Sequence, residues 1–167
     1  FMVPLNTVFG HEFSGEIVEL GSEVDENSFR VGERVTSLPF FKGQNIGLSS
    51  VTGAYAEYLK VIPDQVVKIP DEIDDLNAAL VEPLAVGLHA VKMAGNIAQQ
   101  NILIIGAGPI GLACATWCKF FGARNIVISE MSPARIDMAK KLGFDQIVDP
   151  KDVDNQFEQI AGGPPDI

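Results

Sequence analysis

Six residues, Gly106-Ala107-Gly108-Pro109-Ile110-Gly111, follow directly on the apolar run Asn101–Ile105 and open a stretch of helical period. Three glycines at that spacing suit the binding of a diphosphate. Gly106 permits a tight strand-to-helix turn, Gly108 puts no Cβ in the way of an anion, and Gly111 lets helix and strand approach closely. A helix beginning at Pro109 and Ile110 then points free N–H groups and the positive end of its dipole at the phosphates. Nineteen residues after Gly111, Glu130 ends the next β-branched run, where a carboxylate accepts hydrogen bonds from a ribose diol and repels a 2′-phosphate. The pattern points to an adenine dinucleotide, NAD before NADP. It requires an open glycine turn and a Glu130 directed at the sugar. Arg135 either lies beside the adenosine or is a solvated helix-surface charge. Taken singly, the glycines are turn residues and Glu130 a solvated strand end; the order strand, glycine turn, helix, strand, acid favours the nucleotide.

Two further groups have ligand chemistry. Gly10-His11-Glu12 stands between Phe9 and Phe13, and Glu82-Pro83 between Val81 and Leu84. A neutral imidazole binds zinc, and a neighbouring carboxylate either coordinates or orients it, but one such pair is equally a structural histidine with a satisfied hydrogen bond. Glu82, in apolar surroundings, must be paired or coordinating, because an unpaired carboxylate there would neutralise. His89, on an apolar helix face beside Leu88 and Val91, reads as a packed histidine with a satisfied hydrogen bond. Cys114 and Cys118, four apart on a helix, read as small hydrophobes facing a sheet. Trp117, Phe120 and Phe121 read as core or domain-contact residues, and Lys140-Lys141 as a solvated pair near a helix C-terminus.

The elements that would position these residues fall into three regions. From the start to about Pro70, short apolar segments such as Phe13–Leu20 and Tyr55–Val61 alternate with turn groups at Gly21, Gly32, Gly43 and Pro63, the punctuation of a β-rich unit. From Asp71 to Ala94, acidic residues precede two apolar-periodic stretches, which reads as two helices hinged at Pro83. Beyond that, strands at 101–105, 125–128 and 146–148 alternate with helices at 109–121, 133–142 and 152–160, which implies parallel pairing. Ser132 before Pro133 supplies an N-cap oxygen ahead of a proline at the first helical position.

Composition sets the boundaries. The chain has 167 residues, 47% apolar and 20% charged, and 22 acidic against 12 basic residues give a net charge of −10. It can bury a core, and its field repels phosphate backbones and anionic lipid, so neither nucleic acid nor a membrane is an expected partner. The run Ile102–Ala123 contains four glycines, Pro109 and Lys119, which argues against a membrane span. Two cysteines make neither a disulfide framework nor a four-ligand metal knot, and no export signal opens the chain. A cytoplasmic setting is expected.

Five motifs in order, Gly10-His11-Glu12-Phe13-Ser14-Gly15-Glu16, Val31-Gly32-Glu33-Arg34-Val35, Gly53-Ala54-Tyr55-Ala56-Glu57-Tyr58, Glu82-Pro83-Leu84-Ala85-Val86 and the glycine fingerprint, closely resemble the zinc-containing medium-chain alcohol dehydrogenases. The Glu-Pro-Leu-Ala-Val segment is most similar to the sorbitol (polyol), butanediol and threonine dehydrogenase branch. The resemblance implies an α/β chain: a partial GroES-like β-rich catalytic domain over residues 1–85, then the first half of a Rossmann doubly wound parallel sheet over 86–167. It implies NAD and a catalytic zinc in the cleft between them, with His11 a ligand, Glu12 a ligand or its close partner, and Glu82 a direct or water-linked ligand. It also implies a small-molecule secondary alcohol or polyol substrate. Zinc would act as a Lewis acid on the alcohol while hydride passes to the nicotinamide, and Glu12 or Glu82 would help move the alcohol proton outward.

The sequence departs from the family pattern in two places. The family's cysteine ligand lies upstream of the Gly-His-Glu motif, before Phe1. The four-cysteine structural zinc lobe should fall between Val35 and Gly53, yet 36–52 holds no cysteine, so no structural zinc is expected. In the strand order 3-2-1-4-5-6, this chain supplies three strands and leaves strand one with an open edge, where self-association into a homo-oligomer or a missing segment is expected. The alternatives are a zinc-free quinone or enoyl reductase of the same superfamily and a catalytically silent nucleotide-binding fragment.

Overall fold

Two small antiparallel sheets carry the first seventy residues in the computed structural model, which describes residues 5–48 and 52–167. The strands are β1 (Gly15–Glu16), β2 (Arg34–Ser37), β3 (Phe40–Phe41), β4 (Gln44–Asn45) and β5 (Val66–Lys68). β1, β2 and β5 form a sheet in that order, with Val35 opposite both Gly15 and Lys68. β3 and β4 make a hairpin whose two loop residues, Lys42 and Gly43, both have positive φ, the handedness that matches strand twist. The apolar stretch Tyr55–Val61, expected as a strand, forms none. Its beginning is tied instead to the chain before His11, and Tyr55 and Tyr58 are exposed.

The acidic start of the helical region does its expected work. Asp74 caps α1 (Asp75–Ala78), its carboxylate accepting from the Asn77 N–H at 2.8 Å. Arg34 of β2 ties this helix to the sheet through the Asp75 carboxylate at 2.8–2.9 Å and the Ile73 carbonyl. Two helices do form, but Pro83 is not the hinge between them. α2 (Val81–Met93) begins two residues earlier, and a proline in the first helical turn removes an N–H that has no intrahelical acceptor.

The chain divides into two units, Phe1–Glu82 and Pro83–Ile167, the second continuing α2. Its sheet is β6 (Asn101–Ile105), β7 (Asn125–Ser129) and β8 (Ile147–Val148), parallel throughout and ordered β6-β7-β8, with Ile102 opposite Ile126 and Ser129 opposite Val148. The crossovers are α3 (Pro109–Phe120) and α4 (Pro133–Lys141), and α5 (Val153–Ala161) follows β8. Alternation along the strands places helices on both faces: Ile128 packs with Ala115 and Ala139 of α3 and α4, whereas Val127 packs with Phe157 of α5. The run Ile102–Ala123 is therefore a strand, a turn and a helix, and among the described residues no helix is long and apolar enough to cross a membrane.

Burial bears out the expectation for Cys118 and corrects those for His89 and the Phe120–Phe121 pair. Cys118 is buried with Val91, Ile97 and Ile102, and burial pushes its thiol up to about 11. His89, however, is exposed, and among the described residues its side chain makes no hydrogen bond. The buried stripe of α2 is Pro83, Gly87 and Val91, and a position two residues from Gly87 is turned roughly 200° around the helix, to the opposite face. Trp117 donates to the Leu84 carbonyl at 2.7 Å, but Phe120, 75% exposed, only leans edge-on against it, and Phe121 is also exposed.

The open edge of β6 is partly covered by the chain's own tail. Ile167 donates to the Asn101 carbonyl at 3.4 Å and accepts from the Leu103 N–H at 2.9 Å, bracketing Ile102 as a parallel strand does. The Asp166 carboxylate adds a bond from the Asn101 N–H at 2.7 Å.

Candidate functional site

The segment that carries His11 is held by main-chain contacts. The Gly10 and Phe9 carbonyls accept from the Ala54 and Tyr55 N–H groups, each at 2.8 Å, and the Thr52 carbonyl accepts from Gly47 at 2.7 Å. The backbones are so close that a Cβ on Gly53 would overlap the Val8 carbonyl, and one on Gly47 would overlap Gly10. The sequence carries a signal for this in Gly10 preceding His11 and in Gly53-Ala54-Tyr55, but which backbones touch is not a local property of the sequence.

Glu82 lies in the first turn of α2, seventy-one residues from His11 in the chain. The fold nevertheless brings His11, Glu12 and Glu82 together: one ligand atom from each lies within 4.8 Å of the others. His11 Nε2 and Glu82 Oε1 are 3.8 Å apart, too far for a hydrogen bond, with both side chains about one-third exposed or less. Donors on a tetrahedral zinc with bonds of about 2.0–2.1 Å stand roughly 3.3 Å apart. One imidazole nitrogen and two carboxylate oxygens are a donor set that suits a borderline-soft dication, and the 3.8 Å pair stands somewhat wider than donors on a bound zinc would. Glu12 is the most exposed of the three.

In the second unit the glycine turn is open. Gly106 has φ +97, and a Cβ on Gly111 would overlap the Gly106 carbonyl, so both positions demand glycine on protein grounds alone. Gly108 differs. Its backbone is extended, at φ −73 and ψ 176, and no atom lies within 4 Å of where its Cβ would be. Nothing in the protein requires glycine there, and the space it leaves is at the start of the twelve-residue α3, beside Pro109 and the half-exposed Ile110.

Glu130 is turned onto backbone amides instead of outward. Its Oε2 accepts from the Ala107 N–H at 2.9 Å, and its Oε1 from the Met131 and Ser132 N–H groups at 2.8 and 2.9 Å. The residue is 7% exposed, with the Arg135 guanidinium 3.7 Å from Oε2. Of the about four lone-pair sites of a carboxylate, three are thus occupied and one remains. The N–H groups of Ser132, Ala107 and Met131 hold the carboxyl down at about 2. The Ser132 side chain makes no cap bond to α4, contrary to expectation; the Arg135 N–H that it would accept from donates instead to the Ser132 carbonyl at 3.1 Å.

That pKa has a consequence for stability. A carboxyl whose pKa falls on folding contributes stability above its unfolded value, near 4.5, and loses it as pH falls toward 2. The expected outcome is that Glu130→Gln lowers the urea midpoint at pH 7 and that the gap to wild type closes between about pH 4.5 and 2.5. A gap independent of pH over that range would mean that the charge of Glu130 adds nothing.

Residues 1–71 match the alcohol dehydrogenase GroES-like domain and residues 109–167 the zinc-binding dehydrogenase domain. L-threonine 3-dehydrogenase of Rhizobium etli (strain CIAT 652) is 36% identical over 164 residues, covering 88% of this chain and 46% of that protein. The crystal structure of 2R,3R-butanediol dehydrogenase from Bacillus subtilis superposes with a TM-score of 0.86 at 34% identity, covering 99% of this chain and 55% of that one. A zinc-binding dehydrogenase structure from Sinorhizobium meliloti 1021, bound to NADP, gives 0.81 at 30% identity, covering 90% and 48%. The chain spans about half the length of the curated relatives it matches. With GroES-like sheets preceding half of a parallel nucleotide-binding sheet, and both domain families matched in order, this chain belongs to the zinc-type medium-chain alcohol dehydrogenase family.

Proposed function

We propose that the chain is the metal-binding and dinucleotide-binding part of a dehydrogenase that transfers hydride between a secondary alcohol or polyol and NAD. The observation that carries this reading is the convergence of His11, Glu12 and Glu82 from two distant parts of the sequence. The donor chemistry fits zinc, which when bound supplies Lewis-acid polarisation of a substrate hydroxyl. His11 would contribute the only nitrogen. Glu82 would contribute a carboxylate held by the first turn of α2, where the helix dipole favours negative charge. Glu12, open to solvent, would be the group able to hand a proton outward.

For the nucleotide, the support is the space at Gly108 and the free N–H groups opening α3. The diphosphate would lie there, against Gly106, Gly108, Pro109, Ile110 and Gly111. Glu130, with one lone-pair site left, would offer the ribose a single hydrogen bond and its charge would oppose a 2′-phosphate, so NAD is the proposed partner; Arg135 would flank the adenosine. A reducing, cytoplasmic setting is supported by the two free thiols, and a homo-oligomer by the exposed Ile105 at the uncovered end of β6.

A zinc-free reductase would leave the three converged donors without a use. The test is titration with NADH and NADPH followed by metal analysis after saturation with zinc and dialysis. Saturable binding that prefers NADH, with zinc retained, is expected. Zinc below about a tenth of an equivalent would remove the metal mechanism, and NADH binding without zinc would leave a silent nucleotide-binding module.

A further inference from the structure

The Glu130 carboxylate joins two turns, one between β6 and α3 and one between β7 and α4. We propose that Glu130 is a positioning residue for the diphosphate turn: by accepting the Ala107 N–H on one oxygen and the Met131 and Ser132 N–H groups on the other, it fixes the glycine turn in the shape that presents the α3 amides. This rests on the dinucleotide reading and deepens it.

Apart from Glu130, the glycine turn is held by its backbone and by the buried Ala107 methyl, which packs with Ala115, Ile128 and Ala139. Beyond the chain neighbours, no atom lies within 4 Å of a Cβ position at Gly106 or Gly108, so these two glycines are open. Below it, the Gly106 N–H donates to the Ser129 carbonyl at 2.8 Å, and the next amide, Ala107, donates only to Glu130. Ala107 is 2% exposed, so its N–H has no water to turn to if that acceptor is lost, and a buried unpaired donor is strongly unfavourable. A negative group beneath a diphosphate site is otherwise an electrostatic liability for anion binding. Its placement is explained if the shape of the turn matters more than the local charge, and three charge-assisted bonds to N–H groups spread that charge over the backbone.

The geometry also says how an isosteric change would fail. Glutamine has one acceptor oxygen and one NH2 donor. Oriented to keep the two bonds to Met131 and Ser132, it would set its NH2 against the Ala107 N–H. Glu130→Gln is therefore expected to release the glycine turn while leaving the opening of α4 in place.

Two measurements on the full 167-residue chain test this. Amide hydrogen exchange of Glu130→Gln should accelerate at Ala107 by about tenfold or more, with Met131 and Ser132 changing far less. In parallel, adenosine and ADP are titrated by NMR. If Glu130 served only the ribose, both ligands would lose affinity by the same factor. Positioning of the diphosphate turn predicts a larger loss for ADP, lowering the ADP-to-adenosine preference by about fivefold. Equal losses, or unchanged exchange at Ala107, overturn the inference while leaving the dinucleotide reading intact. Failure of the wild-type chain to bind ADP removes that reading and this inference with it.

Discussion

Replacing His11 by alanine is expected to weaken zinc binding by about a hundredfold or more, because even partners that merely orient a ligand are worth 10–100-fold. The substitution removes the one nitrogen donor from the triad and leaves two carboxylates, a set that suits harder cations. Competition against a chromophoric zinc chelator reads the change directly. His89 provides the control: it is the only other histidine, it is exposed, and His89→Ala should leave zinc affinity unaltered. Circular dichroism of both variants separates ligand loss from unfolding. Equal affinities for wild type and His11→Ala would show that the metal, if bound, sits elsewhere.

Gly111→Ala is expected to produce the second large effect. The added Cβ would overlap the Gly106 carbonyl, a fixed backbone part of the same turn. Overpacking of this kind costs about 1–3 kcal/mol, which for a chain of this length lowers Tm by roughly 3–10 °C. The turn can relieve the overlap only by moving the start of α3 away from β6, so NADH affinity should fall as well. By contrast, Gly108→Ala has neither strain nor a clash in the free protein and should leave Tm nearly unchanged while weakening NADH. If Gly108→Ala bound NADH normally, the open space there would not be where the diphosphate rests.

The two units differ in how much of them could be read from the chain. In the second, buried parallel strands are continuous apolar runs and each helix is bounded by proline or glycine, so every strand and helix after residue 100 lies within one or two residues of its expected limits. In the first, the strands are two to four residues long, and β2 buries Thr36 and Ser37 with hydroxyls satisfied by the Phe13 and Leu38 carbonyls. Such a strand shows no alternation, whereas Tyr55–Val61 looks apolar yet pairs only through its first residue. At the sites, residue types were legible and orientation was not. Nothing local says that Glu130 faces Ala107 or that Asp166 and Ile167 fold back on β6, because both depend on which backbone donors the tertiary structure leaves unpaired.

The fastening of the His11 segment bears on how readily this site could diversify. Gly10, Gly47 and Gly53 secure it through main-chain atoms, while Ala56, Glu57 and Tyr58 close by are exposed and take no part in the attachment. Amino-acid replacements at those three surface positions are therefore decoupled from the spacing of the donor triad. Selection, natural or in a combinatorial library, has latitude to change those positions without disturbing the backbone that carries the imidazole.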